Sequence, residues 1–147
     1  MEQRKKTLTL KSFSRAAGPQ TAANLPRDPW VSKEALDFAR DLARSGAREE
    51  AINFVKSKLV DCPRDKIAYS FIAVTYGRMG ENAQVAGDEE RAAELWQESL
   101  DYSISGLVID PNDIKLLAQA AKTFRQLGEY DEAESFLLRA LRIDDRD

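Results

Sequence analysis

The chain has 147 residues, 43% of them hydrophobic and 32% charged, with a formal net charge of −3, no histidine and one cysteine, Cys62. That size makes one domain with a continuous core. The missing histidine removes the commonest general base and metal ligand, and a lone cysteine excludes an intramolecular disulfide and suits a reducing compartment.

No apolar run approaches the roughly 20 residues that cross a bilayer, and the N-terminus lacks an apolar signal-type stretch. The expected address is therefore cytoplasmic. Residues 1–31 carry six basic residues (Arg4, Lys5, Lys6, Lys11, Arg15, Arg27) against Glu2 and Asp28, a balance of +4, and the remainder carries −7. This basic arm is polar, broken by Gly18-Pro19, Pro26 and Pro29, and without helical period. Its Leu8-Thr9-Leu10 and Phe13 are either an anchor for a groove or part of a solvated tail. Residues 1–29, rich in Arg, Ser and Thr, also have transit-peptide composition, which would place the mature protein in an organelle matrix.

Helical order begins at Ser32, an N-cap flanked by Val31 and Leu36 in hydrophobic-staple positions. Ala35, Phe38, Ala39, Leu42 and Ala43 then recur at helical spacing until Gly46. A second helix runs from about Arg48 to Val60, with Ala51, Ile52, Val55 and Leu59 on one face and Pro63 preventing continuation. So short a turn forces the two helices antiparallel. A second pair starts with Ala68, Tyr69, Ile72, Ala73 and Tyr76 before Gly80, and a third with Leu116, Leu117, Ala120, Ala121 and Phe124 before Gly128. The last helix carries Ala133, Phe136, Leu137, Ala140 and Leu141.

Gly46, Gly80 and Gly128 stand 34 and 48 residues apart, and 48 exceeds 34 by 14. Pro63, Pro111 and Asp145 keep the same beat. A 34-residue period marks a helix-turn-helix unit that buries its apolar face only by stacking on a copy of itself. The 14 extra residues fall after Gly80. The sequence predicts a loop over about 81–87 and then a helix from Asp88 to about Val108, lengthened at its start by roughly two turns.

These residues resemble the tetratricopeptide repeat. The family pattern appears as Ala35, Phe38-Ala39, Leu42, Ala51, Val55 and Pro63, then as Tyr69, Ile72-Ala73, Tyr76, Ser99, Ser103 and Pro111, and last as Leu117, Ala120-Ala121, Phe124, Ala133 and Leu137, with Asp145 in place of proline. The resemblance covers about 32–147, in units of about 32–65, 66–113 with an insertion over about 81–94, and 114–147. It implies an all-α fold, a right-handed α-solenoid of three antiparallel helix pairs whose first helices line a concave groove for peptides or partner proteins.

Carried over by position, the groove face is Lys33, Leu36, Asp37, Arg40, Ala43 and Arg44 in the first pair. In the second it is Ile67, Ser70, Phe71, Val74, Gly77 and Arg78, and in the third Lys115, Ala118, Gln119, Lys122, Arg125 and Gln126. The expected ligand-binding set is Lys33, Arg40, Arg44, Phe71, Val74, Arg78, Lys115, Gln119, Lys122 and Arg125. It is a basic face with an apolar floor on an acidic body, suited to acidic or C-terminal-carboxylate segments. Arg40 and Phe71 stand where the asparagines of the family's carboxylate clamp are expected, so chaperone C-termini are not the implied ligand.

The resemblance thus implies a non-enzymatic adaptor or co-chaperone, with no cofactor or metal. The alternative is a secretion-type three-repeat chaperone, or an assembly factor that dimerises through an uncapped last helix. Arrays of this family generally end on a covering helix; its absence after Leu137 and Leu141 leaves those side chains for a second copy, a partner or the basic arm. Specific nucleic-acid binding is not expected, because the body is acidic and the arm has no aromatic interleaving beyond Phe13.

Overall fold

The structure, a computed structural model, describes residues 29–146. Among these residues there are six helices and no strand: α1 (Lys33–Arg44), α2 (Arg48–Leu59), α3 (Lys66–Val85), α4 (Glu89–Ile109), α5 (Ile114–Gln126) and α6 (Tyr130–Arg146). They form an all-α solenoid of three antiparallel pairs. Four helices start on side-chain caps, each satisfying amide groups that have no partner within the helix. Ser32 Oγ accepts from the Ala35 amide at 3.1 Å, Asp88 from Arg91 at 3.1 Å and Asp113 from Leu116 at 3.0 Å. Asp65 Oδ1 accepts from Ile67 and Ala68, while its Oδ2 takes the Val31 amide at 2.8 Å. That buried carboxylate ties the chain entering the first pair to the start of the second. Residues 1–28 of the basic arm, with its suggested anchor, lie outside the described residues.

The middle turn is not where the 34-residue beat predicts it. α3 runs straight through Gly80 to Val85, so residues 81–85 are helix rather than loop. The turn falls on Gly87. Gly46, Gly87 and Gly128 have φ of +98°, +86° and +84°, the left-handed conformation that glycine adopts without strain. Each is closed by the same pair of backbone bonds: Ala47 to Leu42, Asp88 to Ala83 and Glu129 to Phe124 at 2.8–2.9 Å, with the glycine amide bonded one turn back. This is the Schellman closure of a helix end. The three turn glycines are equally spaced, 41 residues apart, and Gly80 is not one of them.

The inserted residues therefore lengthen both helices of the central pair. α3 has 20 residues and α4 has 21, against 12 in α1 and α2 and 13 in α5. Seven more residues add about 10 Å of helix. The tip of this long hairpin, residues 84–91, is exposed throughout. α4 itself begins at Glu89, in agreement with the start expected from Asp88.

Small residues let α3 close on α4 and α4 close on α5. A Cβ on Gly80 would stand 2.4 Å from Trp96 Cδ1 and Nε1, and one on Gly106 would stand 2.7 Å from Leu116 Cδ1. Gly80 is thus a seat for an indole ring. Ser99, whose polarity departs from the family pattern, is fully buried and donates to the Ala73 carbonyl at 2.7 Å. Two apolar clusters follow from this stacking: one joins the first two pairs around Ile52, Val55, Ile72 and Tyr102, and the other joins α4, α5 and α6 around Leu116, Leu117 and Ala140.

Candidate ligand groove

The candidate groove is the face of the first helices, α1, α3 and α5. Three positions carried over to it point elsewhere. Leu36 is buried in the first cluster, Ala43 packs against that cluster, and Gly77 is buried. Leu36 and Ala43 serve packing, because the apolar stripe of an amphipathic helix turns to the core, and Gly77 lies against Gln119 of α5 and Ser99 of α4. Phe71 is half-buried against the first cluster and Val74 is half-buried beside it.

The cations differ in what they already hold. Lys33 and Arg40 both pair with Asp37, at 3.1 and 3.2 Å, and the Lys33 bond, with Arg40 adding to it, keeps the Asp37 carboxyl below its ordinary range. Arg44 pairs with Asp41 at 3.4 Å. These are exposed pairs within a single helix, individually weak, but they leave α1 close to neutral. Among the described residues Arg78, Lys115 and Arg125 have no ion-pair partner, and all three are exposed. The uncompensated positive charge therefore sits on α3 and α5.

Lys122 has a partner that the sequence pattern does not indicate. Glu81 lies in the stretch expected to be loop; because α3 continues as helix, it is carried to the side of α5, and its Oε1 lies 2.6 Å from Lys122 Nζ. That oxygen is buried and makes no aligned hydrogen bond, so the contact is an ion pair alone. A helical reading of 81–85 is the signal that finds it, since Val74, Arg78, Glu81 and Val85 then share one face.

Gln119 is held from behind. Its Nε2 lies 3.3 Å from Ser99 Oγ and 3.4 Å from Thr123 Oγ1, and a Cβ at position 77 would stand 2.8 Å from the same nitrogen. Gly77 and Ser99 thus form a slot for the amide. At the lower corner Lys66 Nζ bridges Asp110 at 2.5 Å and Asp113 at 3.0 Å. Those bonds raise the lysine pKa, and the Lys66 bond, with that from the Asn112 amide, lowers that of Asp110.

Behind the groove, Lys56 Nζ contacts Tyr76 Oη at 2.7 Å and lies over the rings of Tyr76 and Tyr102 at 5.1 and 5.2 Å. An open cleft beside the long hairpin is lined by Tyr76, Leu95, Arg91, Glu94, Gln97 and Glu98. Cys62 is buried, and burial together with Asp65 and Asp61 pushes its thiol pKa up. A nucleophilic thiol needs the opposite shift. On α6, Leu137 and Leu141 are 48% and 50% exposed, with Leu138 beside them at 49%. No helix among the described residues is long and apolar enough to cross a membrane.

A family model for the tetratricopeptide repeat matches residues 71–146. Two solved structures are similar in fold. A thermophilic TPR protein of Thermus thermophilus superposes with a TM-score of 0.67 at 22% identity, over 99% of this chain and 75% of the other. The type III secretion translocator chaperone SycD of Yersinia enterocolitica superposes with a TM-score of 0.62 at 21% identity, over 76% and 74%. No curated protein matches the sequence.

Proposed function

Because the chain belongs to the tetratricopeptide repeat family, a family of protein-interaction modules, we propose that it is a non-enzymatic adaptor or co-chaperone. Its ligand is an acidic segment of a partner protein, held along α3 and α5. The observation that carries this reading is that Arg78, Lys115 and Arg125 are exposed and without ion-pair partners among the described residues, on the two helices of which α3 also carries half-buried Phe71 and Val74. Cations without intramolecular partners are the ones a carboxylate-bearing ligand engages at least cost. Lys33, Arg40 and Arg44 are secondary contacts, because each must first leave an aspartate, and Lys122 must leave Glu81.

The test is fluorescence anisotropy with a labelled hexaglutamate peptide at low and moderate salt. Arg78→Glu and Arg125→Glu each weaken binding by about tenfold, the scale of a close charge pair reversed. Lys33→Glu stays within about twofold, as an exposed, already paired charge should. Failure of the native chain to bind, or indifference to Arg78→Glu, rejects the acidic-ligand groove.

A second reading, a chaperone that pairs with its own copy, is favoured by one observation: Leu137, Leu138 and Leu141 form a half-exposed apolar patch on α6. The Yersinia chaperone similar to this chain is described as an alternative dimer. Equilibrium sedimentation decides it, with a dimer expected for the native chain and a monomer for Leu137→Glu/Leu141→Glu.

A further inference from the structure

We propose that Gln119 is a hydrogen-bond acceptor of fixed polarity on the groove floor, and that its side-chain oxygen takes a main-chain N–H of an extended peptide. The proposal rests on the groove reading above and adds to it the residue that reads the main chain of the bound segment.

The orientation of the amide follows from counting protons. A hydroxyl has one hydrogen to give. Ser99 donates its own to the Ala73 carbonyl at 2.7 Å, and Thr123 donates its own to the Gln119 main-chain carbonyl at 2.8 Å. Both side chains are fully buried, so turning either hydroxyl toward the amide would break the bond it already donates to a carbonyl, with no water to replace it. Facing Gln119, each oxygen can only accept. The nitrogen of the amide must therefore lie toward them, as it does at 3.3 and 3.4 Å, with one N–H for each. Reversing the amide would set its oxygen against two acceptors. Gly77 supplies the room, since its missing Cβ is the atom that would meet Nε2.

What remains is Oε1, at the other edge of the planar amide. It makes no hydrogen bond among the described residues, and it is not one of the buried unpartnered atoms. It is a preorganised acceptor at the surface, with its orientation already restricted before any ligand arrives. Its neighbours on the helix face include Lys115 and Lys122 of α5, with Arg78 across on α3. A bare anion such as phosphate satisfies the cations and leaves Oε1 facing another acceptor. An extended acidic peptide satisfies both, with carboxylates on the cations and an amide hydrogen on Gln119.

The experiment takes the strongest binder from an array of random dodecamer peptides and N-methylates its main chain one position at a time. Each peptide is titrated against the full native chain and against Gln119→Met, whose side chain has similar length and no carbonyl. One methylated position should lose about tenfold affinity for the native chain, the size of one neutral hydrogen bond, and under about threefold for the variant. Equal losses for both proteins, or no position losing more than about threefold on the native chain, overturn the proposal; the second result needs no variant and is unaffected if Gln119→Met fails to fold. A complete absence of binders rejects the groove reading itself.

Discussion

Gly80 and Trp96 are fitted to one another: the place of a Gly80 Cβ is 2.4 Å from two atoms of the indole ring, which is itself buried at 6% exposure. Gly80 stands inside α3, where glycine is ordinarily about 1 kcal/mol worse than alanine. Helix propensity alone thus favours Gly80→Ala. Overpacking against a bulky, enclosed ring costs about 1–3 kcal/mol, and we expect it to win, with a net loss of roughly 0–2 kcal/mol in urea unfolding. A gain in stability would show that the ring moves aside freely.

Gly87 tests the opposite cause. Its φ is +86° and a Cβ there would meet nothing within 4 Å, so only backbone strain opposes a side chain. Gly87→Ala is expected to cost about 1–2 kcal/mol. Gly87→Asn should cost less, because asparagine tolerates the left-handed region. The same pair of substitutions at Gly80 should rank the other way, asparagine being the larger intruder beside Trp96.

Asp65 holds two segments at once, capping α3 with one oxygen and the Val31 amide with the other. Asp65→Ala removes a cap and leaves a buried N–H without its acceptor. Caps contribute about 1 kcal/mol and an orphaned buried group costs about 1–3 kcal/mol. A combined loss of about 2–4 kcal/mol is expected on those figures, with Asp65→Asn in between. A loss below about 0.5 kcal/mol would mean that the Val31 bond contributes nothing.

The Lys66 bridge predicts a pH dependence of known sign. Asp110 has a folded pKa below its ordinary 3.8, so its contribution is present above that value and is lost as pH falls through the lowered one. Lys66 has a folded pKa above its ordinary 10.5, so its contribution holds below that value and fades as pH rises through the raised one. The stability difference between the native chain and Lys66→Met should be constant from about pH 5 to 9 and shrink toward both extremes. The bridge is partly exposed, and about 0–1 kcal/mol is the expected plateau. Thermal melts across pH measure it; a gap that widens in acid contradicts the assignment.

Much of the fold was legible because helix signals are local. Ser32, Asp88 and the turn glycines Gly46 and Gly128 act on amides and carbonyls within about five residues of themselves. Their positions in the structure match the sequence reading within a residue or two. Gly80 misled it because its spacing from Gly46 repeats the family period while its role depends on Trp96, sixteen positions later. Nothing near Gly80 distinguishes a glycine that ends a helix from one that admits a ring. The misplaced turn then hid Glu81, whose pairing with Lys122 exists only if α3 continues.

By itself the sequence determined that the chain is a stack of three helix pairs, where most helices start, and which faces are apolar, since caps and period act over one or two turns. Only the tertiary structure decided which glycine makes the central turn, that Lys122 is already held by Glu81, and which way the Gln119 amide faces. Gly80 against Trp96, Ser99 and Gly77 against Gln119, and Glu81 against Lys122 are contacts between residues 16 to 42 positions apart, where steric fit and proton donation depend on the partner's position in space.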